Sequence, residues 1–287
     1  MNWPIFFAIL SPALFGLMNV LDAWIVKRKV RYILGFSAVS GLVNLLLGVT
    51  LALLLSWEGY SFIDLRFSIL AGAMLGIQVY VYYKIMARHD ASHFVGLIYI
   101  YPVMVAILSY LFLGEHLSAV EYFGVLVTLC GVLTLSLRMK KLKFTIAFWS
   151  IGIAAITSAL NEFFIKISVV QIPEWHGAAI NSIIMGLFIM AAILNTSIRK
   201  GFYKELKNIP FVVVSESLVI LAIVTLYLAM SGLSATIVSA ISATQPLFVL
   251  VFEMLAGLLG IQIVQDIEWR GKIFSISLIV LGIVIMI

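Results

Sequence analysis

Apolar residues gather along this chain in ten stretches parted by short polar linkers, at about 3–26, 32–56, 67–86, 93–113, 119–137, 144–170, 177–198, 210–231, 234–259 and 272–287. Each approaches the roughly 20 apolar residues that cover the hydrocarbon core of a bilayer. In lipid a spanning segment must satisfy its own backbone, so each stretch predicts a helix. The pattern also repeats. Shifted by 144 positions without a gap, Tyr83 falls on Tyr227, Met86 on Met230, Ala91 on Ala235, Ser92 on Thr236 and Pro102 on Pro246. Two copies follow, over residues 1–138 and 139–287. An odd number of spans per copy inverts the second in the membrane. The expected fold is therefore an all-α integral membrane protein of ten transmembrane helices in two inverted five-helix repeats.

Composition excludes a soluble alternative: 63% of the 287 residues are hydrophobic, 11% are charged and the mean hydropathy is +1.17. Soluble domains run at about 45–50% and about 25%. A net charge of +5 with a pI near 9.3 would suit nucleic acid, but the basic residues form no soluble face. All 18 except Arg66 and Lys166 fall in alternate linkers, as in Lys27–Arg31, Arg138–Lys143 and Arg199–Lys207. The opposite linkers carry Glu58, Asp64, Glu115, Glu121 and Glu174. The positive-inside rule puts the basic linkers in the cytoplasm and both termini outside, with the cell (inner) membrane as the expected location. The first span lacks a charged lead and completes the first copy, so it reads as a retained helix rather than a signal peptide. The single cysteine, Cys130, excludes an internal disulfide and reads as packed inside span five.

Charge and polarity inside the spans narrow the chemistry. There is no phosphate loop, HExxH, GxSxG or Cys/His ligand cluster, so neither an enzyme, a metal nor a cofactor is expected. Glu216, in Ser215-Glu216-Ser217 of span eight, has two readings: a proton-coupling or substrate-amine site, or a carboxylate protonated or paired in place. Glu162 is read as an intrahelical pair with Lys166 four residues on. Asp22 is read as reaching the interface at the inner end of span one. Asn19, Gln78, Asn161 and Gln245 are candidates to line a cavity, or are glue between helices. Tyr83, Tyr99 and Tyr227 are the aromatic candidates. Pro102 and Pro246 are expected to break corresponding helices, which points to a transport site. Lys166 is the sole base well inside a span, so neutral, zwitterionic or cationic solutes are favoured over phosphates.

The run Ile100-Tyr101-Pro102, then Leu113-Gly114-Glu115-His116-Leu117-Ser118 to Gly124 and Gly131, resembles the EamA-like domain of the drug/metabolite transporter superfamily. The second copy repeats it less fully, with Pro246, Gly271 and Gly282, but with Leu258-Leu259 in place of Gly114-Glu115. The resemblance implies a secondary transporter of small metabolites or drug-like compounds working by alternating access, with export as the expected direction. It also implies cytoplasmic termini, opposite to the charge pattern. A flippase for a lipid-linked head group is the alternative on the same fold. A non-transporting membrane scaffold is the reading of another class, and inverted repeats argue against it. The expected partners are a small-molecule substrate, coupling protons and membrane lipid, with no nucleic acid.

Overall fold

The ends of the helices decide where the polar groups meet. A computed structural model of the chain describes residues 3–86, 98, 100–136, 146–258 and 269–286, and among these all regular structure is helical. The first helices are α1 (Trp3–Lys29), α2 (Ile33–Leu53) and α3 (Arg66–Met86). Next come α4 (Tyr101–Leu108), which widens into a π-helical turn over Ser109–Leu113, and α5 (Ala119–Ser136). The long α6 (Ile146–Gln171) and α7 (Glu174–Met190) precede a short α8 (Thr196–Glu205) and the long α9 (Ile209–Gly232). Last are α10 (Ala235–Ser242), α11 (Gln245–Leu258) and α12 (Trp269–Met286). Among the described residues six helical stretches are long and apolar enough to cross a membrane: Trp3–Lys29, Ile33–Leu53, Gly152–Gln171, Glu174–Leu194, Thr196–Gly232 and Ala235–Leu258. Shorter apolar helices cover Tyr101–Leu113, Ala119–Thr134 and Phe274–Met286.

Three local expectations change. Span seven does not run to residue 198. Its helix stops short of Asn195, whose Oδ1 accepts from the backbone N–H of Ser197 at 2.9 Å and Ile198 at 3.4 Å and so caps α8. The buried Glu205 at the end of α8 then accepts from the N–H groups of Arg31 at 3.0 Å and Tyr32 at 2.9 Å, tying α8 to the α1–α2 turn. The span read as continuous from 234 to 259 is in two pieces. α10 ends at Ser242, the chain turns at Ala243–Thr244, and Pro246 is the second residue of α11. Pro102 is likewise the second residue of α4, after a turn at Ile100. In the first turn of a helix a proline has no N–H to waste, so each proline starts a segment rather than kinking one. Cys130 is exposed on α5 and not packed inside it.

Helices from the first part of the chain pack on helices from the second: α1 on α9, α2 on α7, α3 on α6, α4 on α10 and α5 on α12. Small residues allow the close approach. A Cβ at Gly131 would stand 2.7 Å from the Ile279 backbone nitrogen, and one at Gly124 would stand 2.9 Å from the Gly282 carbonyl oxygen. The core that results centres on α9, where Tyr227 and Met230 are wholly buried.

Candidate functional site

A cavity of about 170 Å³ lies where α1, α3, α6 and α9 meet the breaks before α4 and α11. Asn19, Gln78, Tyr83, Asn161, Glu216 and Gln245 line it. Tyr227 does not, and Tyr99 lies outside the described residues. Asp22, Glu162 and Tyr101 line it as well, and residue-by-residue reading had set the two acids aside. Their signal was helical spacing. Pro12, Phe15, Asn19 and Asp22 recur at intervals of three and four along α1, as do Ser158, Asn161, Glu162 and Ile165 along α6, so each set shares one face.

Two acids meet at one end of the cavity. Asp22, 7% exposed, accepts from the Tyr83 hydroxyl at 3.0 Å and from Ser215 Oγ at 2.5 Å. Glu216, the next residue after Ser215 and 4% exposed, accepts from Ser40 Oγ and from Asn44 Nδ2, the latter at 2.7 Å. Both carboxylates are thus satisfied on both oxygens by neutral donors. Glu162 stands apart. It is 5% exposed, one oxygen accepts from the Tyr101 hydroxyl at 2.9 Å, and the other is buried with no partner among the described residues. The expected pair with Lys166 does not form. Lys166 Nζ donates to the carbonyls of Met230 at 2.9 Å and Leu233 at 2.6 Å, and lies 3.7 Å from Glu115. These carbonyls are the unpaired end of α9, where a cation is favoured.

A second polar cluster lies outside the cavity lining, toward the other end of α3. Tyr227 donates to Ser68 Oγ at 3.4 Å and accepts from Asn181 Nδ2 at 3.3 Å, and Ser68 shares a hydrogen bond of 2.5 Å with Ser168. Along α3, Ser68 and Tyr83 stand ~22 Å apart at 1.5 Å per residue, so the two tyrosine clusters lie at opposite depths of the bundle. Beside the Tyr227 cluster, Gly114 takes a left-handed φ of 64° that ends the π-helical turn and aims Glu115 at the start of α10. Both Glu115 oxygens accept from the Ala235 N–H, at 3.0 and 2.9 Å.

The cavity's electrostatics are one-sided. Among the described residues its lining contains Asp22, Glu162 and Glu216 and neither lysine nor arginine. Three His, Cys, Asp or Glu side chains converge nowhere among the described residues in a way that would hold a metal. Charge at mid-membrane costs about 2.5–3.5 kcal/mol on insertion scales, so these acids need a proton or a bound cation. The arrangement can take up either.

Residues 2–137 match the EamA-like transporter family. In three dimensions the chain is similar to a crystal structure described only as "Crystal structure of protein", with a TM-score of 0.68 and 15% sequence identity over 97% of this chain and 95% of that one. At that identity the likeness speaks for the fold alone. No curated protein matches the sequence. The six membrane-length helices among the described residues and the family match indicate an integral multi-pass membrane protein, and the family points to a transporter with a small-molecule substrate. Residues 2–137 thus carry an EamA-like transporter domain, a family of the drug/metabolite transporter superfamily.

Proposed function

We propose that the chain is a secondary transporter that exports small organic solutes across the cell membrane by alternating access, with protons exchanged at the Asp22–Glu216 pair. The observation that carries this reading is the cavity itself: buried carboxylates without a lysine or arginine among its described lining residues. Such a lining favours cationic solutes over the neutral and zwitterionic ones left open by sequence. It also gives a proton somewhere to replace the solute on the return step.

The helix pairing supports two exchanging copies. Exchange span one with six, two with seven, and so on to five with ten. The contact of α1 with α9 then becomes that of α6 with α3, while α2–α7, α4–α10 and α5–α12 map onto themselves. Tyr83 and Tyr227 trade places under the same operation, one beside Asp22 and one in the opposite cluster. Alternating access requires such matched gates at the two ends.

The test is solute movement in proteoliposomes, with a mixed set of amines, alcohols and amino acids, with and without an imposed pH gradient. The gradient should drive accumulation of at least one solute by the wild type. Glu216→Gln should abolish that drive while the protein still elutes as a single species. Gradient-driven accumulation that survives Glu216→Gln would remove Glu216 from coupling.

A further inference from the structure

We infer that Glu162 is the seat of a substrate ammonium group, and that the transported solutes are primary or secondary organic amines. This rests on the carrier reading but concerns a different carboxylate from the coupling pair. A buried carboxylate normally uses both oxygens, because an unmet acceptor loses its hydration without return. Asp22 and Glu216 obey that rule through Tyr83, Ser215, Ser40 and Asn44. Glu162 does not: its Oε2 is buried, unpartnered among the described residues, and belongs to a side chain that lines the cavity. The one base within a helical turn, Lys166, is held elsewhere by Met230, Leu233 and Glu115.

What fits an unmet acidic acceptor is a charged donor. An ammonium brings up to three N–H groups. Ser242, whose Oγ is also without a partner among the described residues, and Gln245 line the same cavity on either side of the α10–α11 turn. They offer further acceptors. A quaternary ammonium carries the same charge but no N–H, and would leave Glu162 Oε2 unsatisfied. An alcohol supplies a hydrogen but no charge. The apolar lining from Phe15, Leu75, Val79, Ile165 and Met185 suits a hydrocarbon or aromatic body behind the nitrogen.

The experiment uses the full chain in detergent, with 2-phenylethylamine, 2-phenylethanol and N,N,N-trimethyl-2-phenylethylammonium as probes in isothermal titration. The wild type should bind the primary amine at least about tenfold more tightly than the other two. Glu162→Gln should weaken the amine by about tenfold or more and leave the alcohol within about twofold. A measurement on the wild type guards against a misfolded variant. Dicyclohexylcarbodiimide labelling of Glu162, read by peptide mass spectrometry, should be blocked by the amine and not by the alcohol. Equal amine binding by wild type and Glu162→Gln, no amine binding by the wild type, or labelling that the amine does not slow would each overturn the assignment. If the wild type moves solutes across vesicles while any of these holds, the carrier reading stands and the amine site falls. If the amine binds through Glu162 and no solute crosses, the site stands and the carrier reading falls.

Discussion

Lys166 and Glu162 have the spacing of an ion pair on an exposed helix, yet each turns to a neighbour on another helix. The rule for residues four apart describes a surface where water is the competitor. Inside a bundle the competitors are unpaired carbonyls, and the end of α9 supplies two. Sequence spacing contains neither Met230 nor Leu233, so this swap was not legible from it. Asp22 was legible in principle, through the helical face it shares with Asn19, but its nearness to Trp24 and the basic linker made an interface look sufficient. The amides and Glu216 were readable because polar groups inside apolar spans have few reasons to be there. Lys166→Met should leave the carbonyls of Met230 and Leu233 without their donor and cost about 1–3 kcal/mol. The check is thermal unfolding in detergent, and an unchanged Tm would mean that the end of α9 finds another donor.

Helix positions followed from hydropathy because lipid leaves the backbone no alternative. Helix ends did not, because they depend on caps and on what the neighbouring chain supplies. Asn195 starts α8 inside a stretch that hydropathy runs together with the preceding span, and Pro246 was visible while the turn at Ala243–Thr244 was not. The glycines divide in the same way. Gly131 faces the Ile279 backbone across the α5–α12 contact, whereas a Cβ on Gly152 of α6 would meet nothing within 4 Å. Gly131→Ala should therefore destabilise the protein by about 1–3 kcal/mol through overpacking. Gly152→Ala should stabilise it by about 0.5–1 kcal/mol, because a helix interior gains from the change. Melting curves of the two variants should move in opposite directions; parallel shifts would show that the α5–α12 contact yields to a methyl group.

At the scale of the whole molecule, the alternating access proposed above requires the cluster of Tyr227, Ser68 and Ser168 to part. Those two serines touch across α3 and α6, so Ser68→Cys/Ser168→Cys in a Cys130→Ala background should cross-link under mild oxidation. Transport should stop, and a reductant should restore it. Full activity with the cross-link in place would mean that this cluster never parts. Topology is tested in the same background. If the basic linkers are cytoplasmic, Glu58→Cys should label from outside intact cells and Lys141→Cys only after permeabilisation. The reverse pattern would give the chain cytoplasmic termini. The grip of Glu115 on α10 has a consequence for the carrier's idle state. The sequence offset of 144 places Leu258-Leu259 where Gly114-Glu115 stand, so the second half of the sequence has no counterpart of this carboxylate there. Hydrogen bonds to a charged group contribute about 1.5–3 kcal/mol, and 1.4 kcal/mol is a tenfold population ratio, so in a carrier working by alternating access the Glu115 grip would favour the state in which its own mouth is shut. Opening that mouth would then wait on the unfastening of Glu115 from the first N–H of α10.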